Sequence, residues 1–280
     1  MSSARKIVDR DNSRYFFARL GSGPPLLLLH GFPETHACWE AVAPRLAARF
    51  EVIAPDIRGY GDSSAPPGGP RGEGYTKREM AEELVELMTT LGHEHFAVVG
   101  HDRGGRVAYR MALDHPGRVT RLAVVNIIPT LDQFEREATL GYWPWFFLAQ
   151  PAPFPERMLA ADPDAFLDHV FGTWTGDGAS IAAREAYRAA LTPETIAAMC
   201  GDYRASYHLD RAHDAADRAA GKKISAPVLV VTGAEETQLL DAEDVWREWA
   251  VDVTAVLVPG GHFVPEEAPD ELYAALADFL

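Results

Sequence analysis

The chain has 280 residues, 47% of them hydrophobic, which is ample for a core built as one large domain or one domain with an insertion. A net charge of −15 and a pI near 5.1 exclude nucleic acid and anionic membrane as main partners, because both require basic surface. Cys38 and Cys200 have neither metal-like nor framework spacing, so a reduced intracellular setting is the simplest expectation.

In chain order, Lys6 to Asp9 and Tyr15 to Leu20 are expected as two short strands joined by the turn-like Asp11-Asn12-Ser13, forming an antiparallel edge. After the breakers Gly21 to Pro25, the run Leu26 to Leu29 has the length of a fully buried strand, and it leads into His30-Gly31-Phe32-Pro33. Helical spacing is expected from His36 to Arg49, a strand from Glu51 to Ile57, and an amphipathic helix from Thr76 to Leu91 with Thr76 and Glu79 as a capping box. The apolar run Phe96 to Val99 then meets Gly100-His101-Asp102-Arg103-Gly104-Gly105-Arg106, followed by helical spacing to Asp114 and a strand from Val119 to Ile128.

This alternation predicts an α/β fold with a doubly wound, mostly parallel sheet. From Pro129 to about Lys223 the rhythm breaks into helical, aromatic and proline-rich sequence, including Gly141-Tyr142-Trp143-Pro144-Trp145-Phe146-Phe147-Leu148. Strand pattern resumes at Pro227 to Gly233, then a helix (Ala242 to Ala250), a strand (Thr254 to Val258) and a last helix (Glu266 to Leu280). The expected organisation is a core of residues 1–128 and 224–280 with an inserted helical cap, 129–223, over the carboxyl ends of the strands, where ligands bind in open sheets of this kind. No apolar run reaches ~18 residues and no signal-peptide core precedes the first strand, so a cytoplasmic location is expected.

The order glycine, any residue, Asp102, any residue, glycine resembles the nucleophile elbow of the α/β hydrolases, in which flanking glycines leave room for a strained turn that lifts the middle side chain above the sheet. A carboxylate there attacks saturated carbon and forms an ester that water must cleave. The plain alternative is Asp102 as a helix cap. His262, in Pro259-Gly260-Gly261-His262-Phe263 after the last strand, is the expected water-activating base, and the amides of Phe32 and Arg103 are expected to form an oxyanion hole at the Asp102 carbonyl. Glu236 is the leading candidate for the acid that orients His262. Its rivals are Glu235, one residue earlier, and Asn126, which can orient a ring but cannot stabilise an imidazolium by charge.

Arg103 and Arg106 fall in the first turn of a helix, where the macrodipole disfavours cations by about 0.3–1 kcal/mol each, so the pair marks an anion site. Surface ion pairing is the competing explanation. His208, Asp210, His213 and Asp214 offer ligand types without strict ligand spacing. No metal and no cofactor is expected.

Over nearly its full length the chain resembles the haloacetate dehalogenases, fluoroacetate dehalogenase type, of the α/β-hydrolase superfamily. The resemblance is carried by His30 to Thr35, Gly100 to Arg106, Met111 to Pro116, Gln150 to Glu156, Asp202 to Ala205 and Gly260 to Phe263. It implies Asp102 as nucleophile, His262 as base, Arg103 and Arg106 as the clamp on a substrate carboxylate, and Trp145 and Tyr203 as halide donors. Two departures matter. Asn126 stands where the family carries an Asp, and Pro144 stands where it carries a halide-binding His. The expected activity is therefore hydrolytic dehalogenation of small 2-haloacids, chloro and bromo before fluoro. An epoxide hydrolase, with cap tyrosines (Tyr203 with Tyr142, Tyr187 or Tyr207) as acids, is the alternative, and a non-catalytic hydrolase-fold scaffold is disfavoured by the complete nucleophile, base and oxyanion set. The expected partner is a small-molecule substrate, with homodimer formation left open.

Overall fold

The computed structural model describes residues 4–8, 14–136, 143–239 and 241–280. Among these, β1 (Ala4–Val8), β2 (Arg14–Leu20), β3 (Pro25–Leu29), β4 (Glu51–Pro55), β5 (Phe96–His101), β6 (Val119–Val125), β7 (Val228–Gly233) and β8 (Val253–Val258) form one sheet. Its order is β1-β2-β4-β3-β5-β6-β7-β8. β1 and β2 pair antiparallel and supply the expected edge, while every pairing from β4 to β8 is parallel. β5 and β7 are buried at each position, as continuous apolar runs require of strands covered on both faces. The turn expected at Asp11-Asn12-Ser13 lies outside the described residues.

Helices α1 (Ala43–Leu46), α2 (Lys77–Thr90) and α3 (Asp102–Asp114) connect the first parallel strands. The capping box at α2 is present: the Glu79 N–H donates to Thr76 Oγ1 at 3.1 Å and the Thr76 N–H to Glu79 Oε2 at 3.2 Å. Between β6 and β7 the described residues hold only helices: α4 (Thr130–Glu135), α5 (Trp143–Phe147), α6 (Phe154–Ala161), α7 (Pro163–Trp174), α8 (Arg184–Ala190), α9 (Pro193–Ala205) and α10 (Arg211–Ala219). A π-helical turn, Ser206–Asp210, joins α9 to α10. After β7 come α11 (Ala242–Trp249), β8, α12 (Val264–Glu267) and α13 (Pro269–Phe279). No helix among the described residues is long and apolar enough to cross a membrane.

Three elements differ from the sequence expectation. The single helix from His36 to Arg49 is instead a 3-10 turn, His36–Trp39, and the short α1. Pro44 has no N–H to continue a helical ladder from the preceding turn, so it stands in the first turn of a new helix. The strand expected to reach Ile128 stops at Val125, because Asn126 turns to a φ of 54°. The last helix is two helices, since Ala268, ahead of Pro269, leaves the helical region at φ −135° and ψ 55°.

Candidate active site

β5 ends and α3 begins within one residue, and the turn forces Asp102 to a φ of 41°. An L-residue there is strained by about 1–2 kcal/mol. The glycines make the turn possible: a Cβ on Gly100 would lie 2.5 Å from the Gly104 carbonyl oxygen, and one on Gly104 would lie 2.4 Å from that of His30. Asp102 thus stands at the carboxyl end of a central strand, at the start of α3, where Phe32 donates its N–H to Oδ2 at 3.0 Å. Burial raises the Asp102 pKa, but the nearby His262, Arg103, His101 and Arg106 charges outweigh it, so the carboxyl titrates below its ordinary value.

His262 is held by its backbone and free at its tip. Its N–H donates to the Trp174 carbonyl at 2.8 Å, and its carbonyl accepts from Asn126 Nδ2 and His101 Nε2, each at 2.8 Å. The ring faces Glu236 through Nδ1, 3.3 Å from Oε2. Nε2 is buried without a hydrogen-bond partner. The rival acids are placed elsewhere. Asn126 donates to the carbonyls of Gly261 and His262 and accepts from the Gly233 N–H at 2.7 Å, so it ties backbones together and does not meet the imidazole. Glu235 accepts from the Asp177 N–H at 2.9 Å, in the turn after α7.

The two arginines are not equivalent. Arg103 is wholly buried and paired with Asp202, Nε to Oδ2 at 2.9 Å and Nη2 to Oδ1 at 2.6 Å, while Nη2 also donates to Ser206 Oγ at 2.6 Å. Lys77 reaches the same carboxylate. Burial raises the Asp202 pKa, yet the Arg103 and Lys77 charges hold it far below the ordinary carboxylate range. Arg106 donates Nη1 to the Ile128 carbonyl at 2.9 Å and to Thr130 Oγ1 at 3.4 Å, both uncharged acceptors. Burial and the adjacent Arg103 charge lower its pKa, the mark of a cation short of counter-charge. Arg103 Nη1 and Arg106 Nε are buried without hydrogen-bond partners. Both guanidiniums lie over the Trp145 ring, at 5.0 and 4.4 Å from its centroid, and Arg103 also over Tyr203 at 4.3 Å.

Asp102, Arg106, Trp145, Tyr203, Glu236 and His262, among others, line a cavity of about 290 Å³, whereas Arg103 is not among the lining residues. Of that aromatic run Trp145 is buried and lines the cavity, while Phe146 is 43% exposed. Pro144 is buried in α5. Of the other tyrosines singled out, Tyr187 donates its hydroxyl to Glu266 at 2.6 Å and Tyr207 packs beneath Arg211. Tyr142 lies outside the described residues. His208, Asp210, His213 and Asp214 do not converge: Asp210 accepts from the Lys77 N–H, Asp214 from Tyr109 and the Leu131 N–H, and His208 is exposed.

Sequence reasoning missed a buried ion pair beneath the nucleophile. His101 Nδ1 lies 2.8 Å from Glu34 Oε2 and Nε2 lies 2.8 Å from the His262 carbonyl, so both ring nitrogens face acceptors and the ring is an imidazolium. Burial opposes that charge, but Glu34 prevails and lifts the pKa to about 9. A histidine closing an otherwise apolar strand, with Glu four residues after His30, was the available signal.

Against known proteins, residues 24–269 match the family model described as alpha/beta hydrolase fold. The chain is 44% identical over 285 residues to a fluoroacetate dehalogenase of Burkholderia sp, covering 99% of this chain and 93% of that protein. It is 34% identical to a soluble epoxide hydrolase of Corynebacterium sp., covering 91% and 90%. A crystal structure of ALR0039 from Nostoc sp PCC 7120 superposes with a TM-score of 0.94 at 43% identity, covering 99% of this chain and 97% of that one.

Proposed function

Since the chain belongs to the alpha/beta hydrolase family, as a hydrolase of the dehalogenase type, we propose that it hydrolyses the carbon–halogen bond of small 2-haloacids, chloro and bromo before fluoro. The observation that carries this reading is the unpartnered guanidinium N–H group of Arg106, Nε, buried on a side chain that lines the cavity with the nucleophile. A buried donor left unsatisfied costs about 1–3 kcal/mol, more when charged, and a substrate carboxylate removes that cost. Arg106 is the principal clamp on this reading, since Asp202 already neutralises Arg103.

One Asp102 oxygen forms a bond to the α-carbon while the carbon–halogen bond breaks and its electron pair leaves with the halide. Trp145 and Tyr203 face the departing charge. Burial raises the Tyr203 hydroxyl well above its ordinary pKa, so it remains a donor. Water, losing a proton to His262 Nε2, then adds to the Asp102 ester carbonyl, whose developing charge is met by the Phe32 and Arg103 amides. Glu236 on Nδ1 fixes the tautomer and stabilises the imidazolium. Collapse frees the 2-hydroxy acid and regenerates Asp102, which has exchanged an oxygen. Helices within 129–223 act as the cap that excludes bulk water from this sequence.

Fluoride is the poorest leaving group and gains most from each donor. Pro144 supplies none, which supports the chloro and bromo preference. An epoxide hydrolase reading is favoured by Tyr203 at the cavity and by the Corynebacterium relative, but a neutral epoxide leaves the Arg106 donor unmet. Incubation with chloroacetate, bromoacetate, fluoroacetate and styrene oxide decides: halide release from the first two is expected, and diol formation without halide release overturns the proposal.

A further inference from the structure

The cavity of about 290 Å³ has room for about ten water-sized groups at ~30 Å³ each, roughly twice the non-hydrogen atoms of a haloacetate. A haloacetate clamped by Arg106 and attacked by Asp102 therefore leaves about half of this space unfilled. The same cavity is lined by the end of α7 and the turn after it, which is bonded to the segments after β7 and β8. His262 donates its N–H to the Trp174 carbonyl at 2.8 Å, Gly176 to Glu267 at 2.7 Å and Asp177 to Glu235 at 2.9 Å. These bonds make the turn a fixed wall of the cavity.

That wall is polar. Thr173, whose hydroxyl donates to the His169 carbonyl at 2.7 Å, and Thr175 belong to it, and Gln238 and Gln133, the latter buried on α4, line the same cavity. Thr175 Oγ1 is buried with no hydrogen-bond partner, a cost unless a ligand completes it. Glu235 and Glu236 line the same region, so a second carboxylate on the substrate meets like charge. Resting on the dehalogenase reading above, we infer that the preferred substrate is a 2-haloacid longer than haloacetate, whose side chain passes His262 and ends in a neutral hydrogen-bonding group, a carboxamide or hydroxyl, taken by Thr175 and Gln133. The chemistry at the α-carbon is unchanged, and the product is the matching 2-hydroxy acid.

The test compares bromide release from bromoacetate, 2-bromo-4-carbamoylbutanoate, its apolar isostere 2-bromo-5-methylhexanoate, and 2-bromoglutarate. The carbamoyl acid is expected to exceed both long-chain analogues in kcat/KM by about tenfold, the worth of one well-made hydrogen bond. Thr175→Val and Gln133→Leu are each expected to bring the ratio of carbamoyl acid to isostere toward one. Bromoacetate turnover with that ratio already near one in the native chain overturns the inference and leaves the dehalogenase reading standing. A tenfold ratio that survives both substitutions overturns the assignment to these two residues. No bromide from any of the four acids removes the dehalogenase reading, and the inference with it.

Discussion

Asn126 grips His262 by its backbone and leaves the ring to Glu236. The carboxamide donates to the His262 carbonyl at 2.8 Å, whereas the imidazole Nδ1 faces the Glu236 carboxylate at 3.3 Å. The φ of 54° at Asn126 aims its side chain across the ends of β6 and β7, where it also holds Gly233 and Gly261.

These roles separate by mutation. Glu236→Gln should leave the first halide release nearly intact and slow ester hydrolysis, so that a substrate-derived adduct accumulates on Asp102 and is seen by intact mass. Asn126→Ala should instead lower the melting temperature, because it orphans backbone groups worth about 1–3 kcal/mol each when buried. Adduct build-up in the Asn126 variant alone would reverse the assignment.

Arg103 and Arg106 should fail differently. Arg106→Leu removes the cation without a carboxylate partner and should raise KM for chloroacetate roughly 10–150-fold, for a charge-assisted bond of about 1.5–3 kcal/mol, with a smaller loss of stability than Arg103→Leu, since it orphans only the uncharged Ile128 and Thr130 acceptors. Arg103→Leu leaves the buried Asp202 with Lys77 as its one remaining cationic partner and should destabilise the fold by about 3–5 kcal/mol. Denaturant melts beside steady-state kinetics check both, and equal KM effects without a stability difference would contradict the distinction.

Pro144→His is expected to raise fluoroacetate turnover relative to chloroacetate by about ten- to a hundredfold, by adding a donor next to Trp145. Fluoride electrode assays of both proteins measure it. A native enzyme that already hydrolyses both acids equally would show that another cap group supplies the donor.

His101 sets a pH dependence of stability. Its folded pKa, about 9, lies above the ordinary 6.5, so its contribution is fully present below about pH 6.5 and is lost as pH rises through about 9. The full amount is on the order of 3 kcal/mol. Unfolding free energy should therefore fall between those pH values in the native chain and fall less in His101→Gln. Parallel profiles for the two proteins would refute the imidazolium.

The elbow, the histidine loop and the parallel order of strands were legible because each is written in a few consecutive residues. Gly100 and Gly104 declare the tight turn around Asp102, and the apolar runs of β3, β5 and β7 declare burial. The partners were not legible. Asp202 meets Arg103 across 99 residues because the helices after β6 fold back over the sheet, and Glu34 meets His101 across 67 because β3 and β5 are neighbouring strands. Pro44 and Pro269 did announce their helix breaks, but apolar periodicity on either side outweighed them in the sequence pattern.

The covalent route through Asp102 is tested most directly by one turnover in heavy-oxygen water with enzyme in excess over bromoacetate. The expected result is heavy oxygen in the Asp102 carboxylate, found by peptide mass, and ordinary oxygen in the glycolate hydroxyl. Heavy oxygen in the glycolate hydroxyl, with Asp102 unlabelled, would mean that water attacks the α-carbon directly and would contradict the nucleophilic role of Asp102.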